Sequence, residues 1–160
     1  PSEGVVPSST TKRVVEDPDR VAADWVLMVG GDLELLTPDG ERLLLSKPPL
    51  PSQPFALTVV TLRGHPMFRN YDLQKLSRCK LLQYVGFSHR DTLTREGIAW
   101  LRGAPLKRLG FNHCSGLLGS WTESLNAFPE LEALQLATQT LTDQALPPLA
   151  KLSKLRSLLI

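Results

Sequence analysis

The run LTVVTL, from Leu57 to Leu62, returns in altered form four more times along the chain. It reads LQYVGF from Leu82, LKRLGF from Leu106, LEALQL from Leu131 and LRSLLI from Leu155. All five fit one frame, Leu-x-x-Φ-x-Φ with Φ apolar, and their starts lie 25, 24, 25 and 24 residues apart. Equal intervals in the range of about 20–29 residues are the mark of leucine-rich repeats, in which a short strand and a return leg make one turn of a coil. The frame therefore predicts an α/β fold, a leucine-rich repeat solenoid of short parallel strands with return helices.

Within each frame the fourth and sixth positions alternate with polar neighbours, so both point to the same side of a strand. These inward pairs are Val60 and Leu62, Val85 and Phe87, Leu109 and Phe111, Leu134 and Leu136, and Leu158 and Ile160. Between frames the apolar spacing widens to three or four, which predicts helical return legs. Leu73 and Leu76 serve the first, Ile98 and Leu101 the second, and Leu125 and Phe128 the third. Leu146, Leu149 and Leu152 serve the fourth, where Pro147 and Pro148 restrict the helix to a short start. Thr94 and Thr142 are placed to cap these legs, the latter within Leu141-Thr142-Asp143.

Residues 17–54 read as an amino-terminal cap for the coil. Asp17-Pro18 opens a helix with proline in its first turn, and Val21, Ala22, Trp25, Val26 and Val29 form its apolar stripe before Gly30-Gly31 ends it. Leu33 and Leu35, then Leu43 and Leu45 beyond the turn Pro38-Asp39-Gly40, predict a β-hairpin whose apolar face packs with Trp25 on the first repeat. Lys47 to Pro54 is a proline-rich linker, and residues 1–16 are expected to be a flexible lead. Residues 55–160 carry the repeats, and the sequence stops inside the fifth frame, so further repeats or another surface are expected to cover that edge. With no initiator Met and no basic-then-apolar leader, the chain is expected to be a mature form or an excised fragment.

The 160 residues, 42% hydrophobic and 21% charged, suffice for one core and exclude wholesale disorder. Lys and Arg number 18 against 16 Asp and Glu, a formal net charge of +2. The balance is uneven: residues 1–54 hold five basic and nine acidic groups, leaving thirteen and seven to 55–160. The basic surplus runs from Arg63 through Arg69, Arg78, Lys80, Arg90, Arg95, Arg102 and Lys107 to Arg108, and reads as a solvated surface, with polyanion or nucleic-acid binding as the alternative. Cys79 and Cys114, the two cysteines, form no CxxC motif and fall at different points of the repeat, so both are expected to be free and buried. Cys114 takes the ninth place of its repeat, which His65, Arg90 and Gln139 hold elsewhere.

Outward positions three, five and seven of the frames face the concave side of such a coil. They are Val59, Thr61 and Arg63; Tyr84, Gly86 and Ser88; Arg108, Gly110 and Asn112; and Ala133, Gln135 and Ala137. Gly86 and Gly110 predict a shallow depression flanked by Arg63, Tyr84 and Arg108, with Tyr84 and Arg108 of the types that anchor interfaces. The candidate partner-binding residues are Arg63, Tyr84, Ser88, His89, Arg108, Asn112, His113 and Gln135. His89 and His113, at the eighth position of consecutive repeats, are expected to stack about 5 Å apart, one strand spacing. With Cys114 they are metal-ligand types, but no carboxylate accompanies them at matching spacing, and neither metal nor cofactor is assigned. No GxSxG, HExxH or phosphate loop occurs, so an enzyme is not expected.

The runs DRVAADWVLMVGG, LPSQPFALTVVTLRG, LTREGIAWL and LTDQALPPL resemble the leucine-rich repeat regions of planctomycete-type bacterial proteins. The likeness covers roughly residues 17–160, although RNYDLQKL and LLGSWTESL depart from the usual repeat pattern. Such regions are often attached to membrane-anchored serine/threonine kinases, while this chain has no Gly-rich loop, HRD or DFG. The helix, double glycine and hairpin are also similar to mitochondrial coupling factor B, and none of that family's metal-associated residues carries over. These resemblances imply a noncatalytic protein-interaction module that binds a protein or peptide on its concave sheet. The alternative they imply is an accessory subunit of a membrane-associated complex.

Overall fold

The computed structural model describes residues 16–137 and 142–160. The expected lead, save Glu16, and Gln139 and Leu141 lie outside the described residues. The fold is α/β, built on one seven-stranded sheet in the order β2-β1-β3-β4-β5-β6-β7. The strands are β1 (Asp32–Leu36), β2 (Arg42–Leu45), β3 (Ala56–Arg63), β4 (Tyr84–Ser88), β5 (Arg108–Asn112), β6 (Ala133–Ala137) and β7 (Ser157–Leu159). From β3 to β7 all neighbours are parallel. Their register follows the sequence frame: Val60, Val85, Leu109, Leu134 and Leu158 lie abreast. Leu62, Phe87, Phe111 and Leu136 form the next row.

Helix α1 (Pro18–Met28) starts where Asp17 accepts a hydrogen bond from the Asp19 amide, 3.1 Å. It ends in a six-to-one hydrogen bond from the Gly31 amide to Val26 and a five-to-two bond from Gly30 to Leu27. Gly30 takes φ 69°, the left-handed value that this termination requires. Asp19 then reaches across to accept from the amide of Leu57, 2.8 Å, and so fastens the helix to β3. The hairpin differs from its expected placement. Strand β1 pairs antiparallel with β3, Leu33 beside Val60, so the hairpin extends the sheet edge to edge instead of lying on its face. Backbone pairing satisfies the β3 edge, and Leu33 and Leu35 still reach the core.

Return legs cross one side of the sheet and pack on one another in chain order. Two of them are 3-10 helices instead of α-helices, Asn70–Arg78 and Trp121–Ala127. The sequence supplies the reason: Leu73, Leu76 and Cys79, like Leu125, Phe128 and Leu131, recur every third residue, the period of that helix. Helix α2 (Arg95–Ala99) and helix α3 (Leu146–Ala150), preceded by the 3-10 turn Asp143–Ala145, complete the row. Thr94 caps α2 by accepting from the Gly97 amide, 3.3 Å. Thr142 precedes its 3-10 turn without a side-chain cap bond.

The inner rows of β3 to β6 are buried, with Phe87 stacked on Phe111 at 5.5 Å and Trp121 edge-on to Phe111 at 5.0 Å. The fifth inward pair is not buried: Leu158 is 42% and Ile160 73% exposed, because β7 has a neighbour on one side only. Leu146 is exposed for the same reason, since no return leg packs beyond α3 among the described residues. Cys79 and Cys114 are both buried, and neither forms a disulfide. Burial, with Asp19 as a secondary cause, pushes the Cys79 thiol up to about 12, and burial likewise raises Cys114.

Arg90 departs most from its reading as a surface cation. It is 2% exposed, with its guanidinium 3.8 Å from the centroid of Phe68. One nitrogen donates to the His65 carbonyl at 3.4 Å, while Nε and the other terminal nitrogen have no partner among the described residues. In the second and third repeats the ninth position turns inward and carries Arg90 and Cys114 into the core, whereas His65 in the first is only half-buried. Burial lowers the guanidinium to about 10.

Candidate binding face

The outward rows present two separate groups of side chains. Position three runs Val59, Tyr84, Arg108, Ala133 and Ser157 across neighbouring strands, and position five runs Thr61, Gly86, Gly110, Gln135 and Leu159. Arg63, Ser88 and Asn112 stand at position seven, about 13 Å farther along the strands than position three.

Tyr84 organises the first group. Residues two apart on a strand share a face, so its ring leans over Gly86 of its own strand and toward Gly110 of the next. A Cβ on Gly86 would stand 2.6 Å from the tyrosine hydroxyl, and one on Gly110 would stand 2.8 Å from it. The depression expected between the glycines is therefore occupied by Tyr84, for which they form a bed. Arg108 sits beside the ring, its guanidinium carbon 5.4 Å from the centroid. Among the described residues no acidic side chain pairs with Arg108. Beyond it the small side chains Ala133 and Ser157 leave a recess of about 420 Å³, closed by Gln135 and Leu159 and floored by Leu109 and Leu134.

The second group lies at the carboxyl ends of the strands. His89 and His113 stack with centroids 4.9 Å apart and an interplanar angle of 22°. Both take left-handed backbone, φ 54° and 51°, which is uncommon outside glycine. Ser88 Oγ lies 3.0 Å from His89 Nδ1, and the Asn112 carbonyl accepts from the His89 amide at 2.8 Å. Near-parallel rings do not converge their nitrogen lone pairs on one point. The Cys114 sulfur turns away, toward the carbonyls of Asn112 and Phe87 at 3.6 and 3.9 Å. Among the described residues no group of three His, Cys, Asp or Glu is placed to hold a metal ion.

Of the sequence-based candidates, Tyr84, Arg108 and Gln135 meet at the recess, and Ser88, His89, Asn112 and His113 meet at the other end. Arg63 joins neither: it pairs with Asp32 at 2.6 Å, drawn to the hairpin that flanks β3. The recess also contains Ser157 and Leu159, which the candidate set omits. Carrying the outward positions into the fifth frame finds both. Other hollows open between the return legs, one of about 500 Å³ beside the half-exposed Trp100. Their walls are largely flexible polar side chains, whereas strand backbone fixes the recess on the sheet.

No protein-family model matches the chain, and no curated protein matches it.

Proposed function

We propose that the chain is a noncatalytic protein-interaction module, a leucine-rich repeat solenoid flanked by a helix and hairpin, that binds a protein or peptide on the outward face of its parallel strands. The observation that carries this reading is the strand register. Frames 24 or 25 residues apart fall directly abreast, with return legs stacked on one side and no described element packed on the other. That side offers a bedded tyrosine, an arginine without an acidic partner and an apolar-walled recess, which together are a composition suited to anchoring a partner.

Polyanion binding has less support. Arg63, Arg95 and Lys107 pair with Asp32, Glu123 and Glu132, Arg90 is buried, and positions three and five of the sheet face carry a single cation, Arg108, which makes no continuous track for a phosphate backbone. No helix among the described residues is long and apolar enough to cross a membrane. The test places a photo-crosslinking residue at Gln135, on the sheet face, or at Trp100, on the return-leg side, in cells that make the protein naturally. A discrete adduct from position 135 and none from position 100 is expected. Adducts from position 100 alone, or from neither, would overturn the assignment of the face.

A further inference from the structure

Resting on the binding face proposed above, we propose that its ligand is an acidic peptide, in which a carboxylate pairs with Arg108 and an adjacent apolar side chain enters the recess beside Leu159. Positions three and five of the five parallel strands together carry one charged side chain, Arg108. The nearby cations differ. Lys107 is engaged by Glu132, and Arg63 by Asp32.

Arg108 is also held in place. The glycine pair lets Tyr84 lie flat, and the guanidinium stands 5.4 Å from the ring centroid. A guanidinium held against an aromatic ring keeps its in-plane N–H donors for a carboxylate, and that fork matches two carboxylate oxygens better than a point charge does.

The rest of the recess selects a peptide over a bare anion. Val59, Ala133 and Leu159 give it apolar walls, and about 420 Å³ admits one or two side chains. Gln135, exposed next to Leu159, offers an amide donor and acceptor together, the complement of a peptide group. A single free cation on these rows suits one carboxylate and not a polyphosphate, whose affinity grows with every phosphate neutralised.

The test selects binders from a random peptide library displayed on phage against the whole chain, then measures the enriched peptides on variants. Enriched sequences should share Asp or Glu beside an aliphatic or aromatic residue. Arg108→Gln should weaken them by about tenfold or more, and Leu159→Ser by a smaller factor. Both side chains are exposed, so neither change threatens the fold. Arg108→Lys should restore only part of the affinity, because an ammonium lacks the planar fork. Peptides without a carboxylate that still lose binding on Gln135→Ala or Tyr84→Ala would overturn the acidic ligand and leave the face intact. Peptides indifferent to all these changes would overturn the face as well. Failure to enrich any peptide would overturn the ligand class.

Discussion

The inner rungs and the β7 edge carry the same frame and have opposite surroundings. On β5, Leu109 and Phe111 lie between β4 and β6 and are each 1% exposed. On β7, Leu158 and Ile160 hold the same two positions and are 42% and 73% exposed. The frame decides where a side chain points, and the neighbouring rungs decide whether it is buried. Burial of these side chains therefore resides in the contacts between neighbouring strands and return legs, not in the single strand.

Matched truncations on the two rungs sharpen that comparison most. Phe111 touches Phe87 from the neighbouring strand and Trp121 from the return leg, so Phe111→Ala should cost about 3–5 kcal/mol in chemical denaturation. Leu158→Ala should cost less than about 1 kcal/mol, since much of that side chain already meets water. Similar losses at both positions would show that β7 is covered in solution.

Arg90 gives a second contrast, within the buried part. The equivalent place is filled on β5's loop by Cys114, a small thiol that fits, and on β4's loop by a cation. Burial that lowers the guanidinium to about 10 disfavours its charged form and so destabilises the fold at neutral pH. Arg90→Met should therefore leave the melting temperature unchanged or raise it, whereas Arg90→Ala should lower it by opening a cavity over Phe68. A large loss with Met would mean that the unpartnered nitrogens are satisfied in solution.

Cys79 shifts in the opposite sense. Its thiol is raised to about 12, so the contribution of its neutral form is complete below the ordinary thiol value and fades as pH climbs toward the raised one. At mildly alkaline pH, alkylation of Cys79 should await unfolding. Rapid labelling of the native protein would contradict its burial.

The parallel strands and their register were legible because apolar alternation and a constant interval are local facts. The 3-10 legs were half legible: the three-residue spacing stood in the sequence, but an α-helix tolerates i,i+3 pairs too. A nine-residue 3-10 segment spans about 18 Å against about 14 Å for an α-helix, a difference that the spacing of apolar residues does not encode. What stayed hidden depends on side-chain direction. A glycine pair reads as an empty depression until the rotamer of Tyr84 is known. Arg90 reads as a surface charge until the turn after β4 aims it inward. The site divides because position three and position seven lie at opposite ends of the same strand, a separation that a set of outward residues conceals.

The smallest effect tests the return legs by the same comparison. Thr94 and Thr142 hold equivalent places before their legs, and sequence gives them the same role. At Thr94 the hydroxyl accepts the Gly97 amide, and Asn70 from the preceding leg donates to the same oxygen at 3.4 Å and to the Thr92 carbonyl at 3.0 Å. At Thr142 the following turn is three residues of 3-10 helix, and no side-chain bond closes it. Here α3 is tied instead through Thr122, a buried hydroxyl that donates to the Ala145 carbonyl at 2.8 Å. Thr94→Ala should cost about 1 kcal/mol, and Thr142→Ala no more than a few tenths. Equal costs would mean that the fourth leg adopts the second leg's cap in solution, and that the β7 side is better ordered than its exposed leucines indicate.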